Sequence, residues 1–255
     1  MSEVLYELDD HVATLTLNRP EQRNAINPEL TLALGAAMDR LEADDDVWVG
    51  ILTGAGPNFC AGADLKSLSA GRASELATET GGFAGFVRHP HTKPIIAAVR
   101  GFALAGGTEL VLACDLVVAA DDAFFGVPEV TRGIVAAAGG LFRLPRVLPP
   151  ARALELILTA ERLGAKEAHQ HGMVNHLVPA EQVLVRAREL ADRICRNAPL
   201  AVRESLAVAR QAQLLTDEQG WQLSSQAMAR ARASDDAREG VRAFVDKRAP
   251  VWTGK

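Results

Sequence analysis

The spacing of hydrophobic positions changes period several times along the chain. From His11 to Leu17 the run HVATLTL alternates β-branched and apolar residues, the two-residue repeat of a strand. Asn18-Arg19-Pro20 stops it, because proline cannot donate to a ladder. Asn27-Pro28-Glu29 then predicts a helix start, with asparagine as cap and proline at the first helical position. Leu30, Leu34, Ala37, Met38 and Leu41 give that helix one apolar face. After Asp44-Asp45-Asp46, the run VWVGILT (47–53) predicts a buried strand, closed by Gly54-Ala55-Gly56-Pro57.

The alternation continues. PIIAAV (94–99) predicts another buried strand, and Gly106-Gly107 opens a helix through Ala113. Leu116 to Ala120 and Ala123 to Gly126 read as short strands. Helices follow Gly139-Gly140 and Pro149-Pro150, a helical stretch runs through His169, and a strand spans 173–178. Residues 69–92 lack a firm period and read as a mobile helix and loop region. The first ten residues, MSEVLYELDD, are acidic and short of apolar residues, and are assigned no element. From Ala180 the pattern is helical throughout: 180–197, 199–213, 217–234 and 235–247. Strands alternating with helices predict an α/β fold with mainly parallel pairing. The switch near 180 divides the chain into a core over 1–180 and a helical region over 181–255.

Composition narrows the function. With 255 residues, 48% of them hydrophobic, the chain can bury a sizeable core. A net charge of −5 gives no basic footprint for nucleic acid. Three scattered cysteines, Cys60, Cys114 and Cys195, suit a reducing cytoplasm and show no metal-ligand spacing. No apolar run approaches the ~20 residues of a membrane span. The six histidines form no metal array, so no metal site is expected. The dinucleotide fingerprint, the P-loop and the G-x-S-x-G elbow are all absent.

The chemistry concentrates between Gly101 and Gly140. A helix opening at Gly106-Gly107 leaves backbone N–H groups unpaired, and glycine lets a ligand atom approach them. A carbonyl oxygen gaining charge would be stabilised there, although a plain tight turn is the simpler reading of a lone Gly-Gly pair. The small-residue loop Cys60-Ala61-Gly62-Ala63-Asp64 could supply a second donor. Cys60 reads as a small hydrophobe rather than a nucleophile. Glu109 and Glu129 are carboxylates in apolar surroundings, where an unpaired charge is costly. For Glu129 the alternative is a salt bridge to Arg132 or Arg143. Two such glutamates could divide acid and base roles if they lie close in space.

Five stretches together resemble the crotonase family, the enoyl-CoA hydratase/isomerase superfamily: NRPEQRNAI (18–26), ILTGAGPNFCAGADL (51–65), KPIIAAVRGFALAGGTELVLACDLVVAADDAFFGVPEVTRGI (93–134), GGLFRLPRVL (139–148) and EGVRAFVDKR (239–248). The resemblance covers nearly the whole chain. It implies a spiral of ββα units followed by a C-terminal helical trimerisation region, assembled as a homotrimer or a hexamer of two trimers. It places the two oxyanion donors at the Ala63 and Gly106 amides and the two hydratase glutamates at Glu109 and Glu129. Coenzyme A, as part of an acyl-CoA substrate and not a separate cofactor, would lie against Gln22, Arg23, Ala25, Ala61, Asp64 and Leu65. Lys66, and Lys247 with Phe244 from a neighbouring subunit, could reach its phosphates. Keeping both glutamates favours hydration of a 2-enoyl-CoA over isomerisation.

A narrower similarity to the carnitinyl-CoA dehydratase branch rests on GGFAG (81–85), LFRLPRVLPP (141–150) and KRAPVWTGK (247–255). A quaternary ammonium substrate needs an aromatic or acidic cage, for which Phe83, Phe86 and Trp252 are the candidates. A non-catalytic acyl-CoA-binding subunit is the alternative of another class. Where many hydratases carry Pro-Gly this chain has Ala136-Ala137, and in the family the amide at Ala137 helps to hold the catalytic water.

Overall fold

The computed structural model of the protein describes residues 2–255. The chain begins with an antiparallel hairpin, β1 (Val4–Asp9) and β2 (Val12–Leu17), in which Val4 faces Leu17. Helix α1 (Pro28–Ala43) leads to β3 (Val49–Gly54). Helix α2 (Leu65–Ser69) leads to a small hairpin, β4 (Ala77–Thr78) and β5 (Gly82–Phe83). Two strand–strand–helix turns follow: β6 (Ile95–Val99), β7 (Phe102–Leu104) and α3 (Gly106–Ala113), then β8 (Leu116–Ala120), β9 (Phe124–Gly126) and α4 (Gly140–Val147). After α5 (Pro150–Thr159), β10 (Leu163–Gly164), α6 (Ala165–Gln170) and β11 (His176–Val178), the chain ends in α7 (Val183–Cys195), α8 (Pro199–Ala209), α9 (Asp217–Arg232) and α10 (Asp235–Asp246).

The main sheet has the order β1-β2-β3-β6-β8-β11, parallel throughout except for the β1–β2 edge. Strands β3 and β6 are wholly buried, which explains their continuous apolar runs. Strand β1 escapes the sequence pattern because it is an edge: only Val4 is buried and Tyr6 is half-buried. The strand expected over 173–178 shortens to His176–Val178, because Asn175 turns to pair with Val117 through both its backbone and its side chain.

Residues 69–92 are not the irregular region expected. They form a 3₁₀ turn, the β4–β5 hairpin and close turns packed on α1. Gly85 has φ +66, and a β-carbon there would stand 2.6 Å from the Thr31 carbonyl oxygen and 2.9 Å from Gly35, so glycine is required at this crossing. Lys93 at the end of this segment is buried, and its Nζ donates to the Leu41 and Asp44 carbonyls at 2.7 and 2.6 Å. It thereby satisfies the C-terminal end of α1.

The helical region begins where the pattern changes, but α7 packs on β3, β6 and β8 and contributes Val183, Ala187 and Ala191 to the core. Beyond it α8 packs along α9, and α10 follows α9. None of the described helices is long and apolar enough to cross a membrane.

Candidate active site

At Gly101 (φ +60) the chain leaves the main sheet and enters a second layer, β7-β9-β10. Single parallel bridges, Cys60 to Ala103 and Ile26 to Ala63, extend that layer. The loops after β2, β3 and β7 therefore end side by side, although they are far apart in sequence.

This stacking brings two small-residue turns together. A β-carbon on Gly62 would stand 3.0 Å from the Gly106 amide nitrogen, and one on Gly107 would stand 2.4 Å from the Cys60 carbonyl oxygen. Ile26 takes the Gly62 carbonyl and gives its own carbonyl to the Asp64 amide, which turns the Ala63 N–H away from that bridge. Gly106 is the first residue of α3. Among the described residues neither the Ala63 nor the Gly106 N–H has an acceptor. Ala105 is held at φ 52, ψ −127, a strained conformation for a residue with a β-carbon. Its amide bonds the Gly126 carbonyl at 2.8 Å, and Thr108 Oγ1 ties the carbonyls of Ala103 and Gly126 at 2.7 and 2.8 Å. The turn is thus over-determined from both sides.

Both glutamates are buried. Glu109, in the first turn of α3, accepts the Gly140 N–H through Oε1 at 2.9 Å. Burial pushes its pKa up to about 7, against the pull of the Gly140 amide, while Glu129 adds to the rise and the Ala138 amide and Arg143 oppose it. Glu129, presented by Pro128 in a 3₁₀ turn, has a buried Oε2 with no partner among the described residues. Burial raises its pKa too, against its own backbone amide and Arg132. Neither Arg132 nor Arg143 forms an ion pair with it, so the salt-bridge alternative fails.

Ala63, Gly106, Glu109 and Glu129 all line one cavity of about 530 Å³. Its apolar wall includes Leu68, Leu76, Phe83, Val87, Val135 and Phe142. Ala61, Leu65 and Ala137 line it as well. The Ala137 amide, however, donates to the Val135 carbonyl at 2.8 Å, so it is occupied rather than free to hold water. Neither Ala136 nor Ala137 has positive φ, and alanine is therefore tolerated in place of Pro-Gly.

The remaining predicted contacts fall outside the cavity lining. Gln22 and Arg23 are exposed on the turn before α1, and the Arg23 carbonyl takes the Ala61 amide at 3.0 Å. Ala25 is buried beneath them. Asp64 caps α2 through the Lys66 amide at 2.9 Å and pairs with Arg19 at 3.0 Å. Burial would raise its pKa, but Arg19 and the Lys66 and Ser67 amides hold it below the usual carboxylate range. Lys66 is exposed beside it. Phe244 and Lys247, on and after α10, do not line the cavity of their own chain.

Sequence reasoning missed Asn24. Its buried side chain donates to the Ala55, Asn58 and Phe59 carbonyls at 2.9, 2.8 and 3.0 Å and braces the loop that carries Cys60 to Ala63. Cys60 donates its thiol to the Asn24 carbonyl, and burial pushes its pKa up to about 12, which leaves an inert packing thiol. Trp252 lies on Gly240, with its indole N–H on the Arg196 carbonyl, and Phe86 is buried outside the lining, so the three aromatic cage candidates do not converge.

The whole-chain comparisons agree with this geometry. Residues 7–255 match the family model described as enoyl-CoA hydratase/isomerase. The chain is 40% identical to a carnitinyl-CoA dehydratase of Proteus mirabilis, over 96% of this chain and 95% of that protein. It is 43% identical to a mevalonyl-coenzyme A hydratase of Aspergillus fumigatus, over 95% and 91%. A crystal structure of enoyl-CoA hydratase from Mycobacterium tuberculosis superposes with a TM-score of 0.96 at 44% identity, covering all of both chains. Two converging small-residue turns, two buried carboxylates and similarity along the full chain lead to one conclusion: this protein belongs to the enoyl-CoA hydratase/isomerase family, and its fold is the crotonase spiral.

Proposed function

We propose that the protein is an enoyl-CoA hydratase that adds water reversibly, in syn fashion, to a 2-enoyl-CoA thioester. The observation that carries this reading is the pair of buried, salt-bridge-free glutamates on the wall of the cavity that also receives the Ala63 and Gly106 amides. In this reading those amides bind the thioester oxygen and stabilise enolate-like charge. Glu109, with its carboxyl raised to about 7, takes a proton from the water attacking C3. Glu129 delivers a proton to C2, and the roles reverse for dehydration. With the Ala137 amide engaged, the water would be held by Glu109 and its neighbouring α4 backbone instead.

Coenzyme A would rest on the surface formed by Gln22, Arg23, Ala61 and Leu65, with the buried Ala25 and Asp64 supporting it from beneath and Lys66 near its phosphates. No separate cofactor is required by this chemistry. We also infer a homotrimer or a hexamer, because α9 and α10 leave Trp221, Met228, Val241, Phe244 and Val245 exposed. In such an assembly Phe244 and Lys247 would serve a neighbour's coenzyme A. Three free thiols suit a cytoplasmic setting.

Carnitinyl-CoA dehydration is the second reading, motivated by the Proteus mirabilis relative. Crotonyl-CoA hydration followed at the enoyl thioester absorbance tests the first. Glu109→Gln and Glu129→Gln should each lose roughly two to four orders of magnitude in rate without unfolding. Near-wild-type turnover in either variant would sink the assignment. Acyl-CoA binding without turnover of any thioester would support a non-catalytic subunit instead.

A further inference from the structure

Three arginines line the cavity: Arg88, Arg132 and Arg143. Among the described residues, the acidic side chains that line it with them are Glu109 and Glu129. Neither glutamate is ion-paired, and burial pushes both towards the neutral form.

Several arginines elsewhere in the molecule are matched. Arg72 pairs with Glu75, Arg152 with Glu167, Arg230 with Glu204 and Arg248 with Glu239. Arg88 and Arg132 line the cavity as exposed residues and, among the described residues, have no carboxylate partner. Arg88 rises from the wall after β5, its stem packed on Gly82, where a β-carbon would stand 2.9 Å from its Cδ. Arg132 ends the turn that presents Glu129, and its one side-chain hydrogen bond among the described residues is from Nη1 to Thr131 Oγ1 at 3.4 Å. Arg143 is anchored at 2.7 Å on the Val87 carbonyl and leaves Nη1 buried without an acceptor. Guanidinium donors left without acceptors beside a pocket are suited to bidentate capture of a carboxylate.

Resting on the enoyl-CoA hydratase reading, we propose that this cavity selects 2-enoyl-CoA thioesters whose acyl chain ends in a carboxylate, and that it rejects a quaternary ammonium. Arg88 and Arg132, from the two walls at 82–88 and 128–135, hold the distal carboxylate, while water adds across C2 and C3 as before. The hydroxyl goes to C3, the proton to C2, and the distal carboxylate is unchanged. An ammonium group meets three cations and no cage. Of the lining aromatics, Phe142 already carries the Arg143 and Arg146 guanidinium groups at 5.5 and 5.1 Å from its ring centre.

The test compares three thioesters with the purified full-length protein: glutaconyl-CoA, which is a five-carbon enoyl chain ending in a carboxylate, trans-2-pentenoyl-CoA of equal length, and crotonobetainyl-CoA. The expected kcat/KM for glutaconyl-CoA exceeds that for pentenoyl-CoA by about tenfold or more, with crotonobetainyl-CoA the poorest. Arg132→Met and Arg88→Met should each cut that ratio several-fold, and Arg132→Lys should retain part of it. Arg72→Met, an ion-paired arginine outside the cavity, should leave the ratio unchanged. A ratio near one, or a preference for crotonobetainyl-CoA, overturns the proposal while leaving hydration intact. If no thioester turns over, the hydratase reading fails. Affinity for the saturated analogues glutaryl-CoA and pentanoyl-CoA, measured by calorimetry, then decides the anion preference by itself: tighter glutaryl-CoA binding that Arg132→Met abolishes upholds it, and equal binding overturns it.

Discussion

Glu109 Oε1 accepts the amide of Gly140 at 2.9 Å, across 31 positions of sequence. The first turn of α3 and the first turn of α4 are therefore joined at the carboxylate itself. The contact exists because Gly140 has no side chain: a β-carbon there would stand 2.8 Å from Ala136 Cβ and 3.2 Å from Glu109 Oε1.

Gly140→Ala should therefore displace Glu109 or the start of α4. A misplacement of this kind costs on the order of 10²-fold in rate. We expect kcat for crotonyl-CoA to fall strongly with a smaller change in KM, read by steady-state kinetics. Unchanged kcat would show that the Gly140 contact does not set the position of the carboxylate.

The raised pKa of Glu109 predicts opposite effects on activity and stability. Folding lifts it from 4.5 to about 7, so the folded protein holds a proton that the unfolded chain releases. The corresponding stabilisation is fully present below pH 4.5 and is lost as the pH rises through about 7. At pH 8 the buried charge then costs up to about 3 kcal/mol. Glu109→Gln should melt higher than the parent at pH 8 and lose that advantage towards pH 5 in calorimetric scans. For the parent, kcat/KM for hydration should rise with pH through about 7, since the base must be ionised, whereas dehydration should favour the acid side.

Phe83 and Gly106 are in close contact. A β-carbon on Gly106 would meet the Phe83 ring at 2.4 Å. Gly106→Ala should lower both the melting temperature and the turnover, because the ring or the first turn of α3 must move. Overpacking of this sort costs about 1–3 kcal/mol. The double variant Gly106→Ala/Phe83→Ala should recover stability relative to Gly106→Ala alone, by removing the clash. No recovery would locate the strain in the backbone instead.

The exposed apolar residues of α9 and α10 make the oligomer testable. Phe244 is 87% and Trp221 76% exposed in the single chain. Sedimentation should give a trimer or hexamer, and Phe244→Glu with Val241→Glu should shift it to smaller species. A monomeric parent protein would remove the assembly from the argument.

The alternation of apolar runs was enough to establish an α/β fold, the helix start at Asn27-Pro28, and the buried strands now seen as β3 and β6. The two glutamates stood out because a carboxylate among Leu110, Val111 and Leu112, or beside Phe125 and Pro128, is costly unless used. Of the residues the family motifs singled out, Ala63, Gly106, Glu109 and Glu129 line the cavity, whereas Gln22, Arg23 and Lys247 do not. Short or edge elements were not legible: β1 buries one side chain, and β7 spans three residues after a sharp turn. Nor could residues 69–92 be read, since their order comes from glycine contacts with α1 and not from a periodic face of their own.

What the sequence determined by itself was therefore local: which segments bury a face, and which carboxylates are out of place. That these groups share a site was implied by the family resemblance alone, and the tertiary structure shows how they come to line one cavity. Stepping from one sheet to the other at Gly101 stacks the loops from three strands, so that Ala63, Gly106, Glu109 and Glu129 share a cavity. Tertiary structure alone also fills the Ala137 amide and leaves Arg88 and Arg132 without partners. Hydrogen-bond satisfaction and charge pairing depend on neighbours distant in the chain, and spacing along a sequence does not encode them.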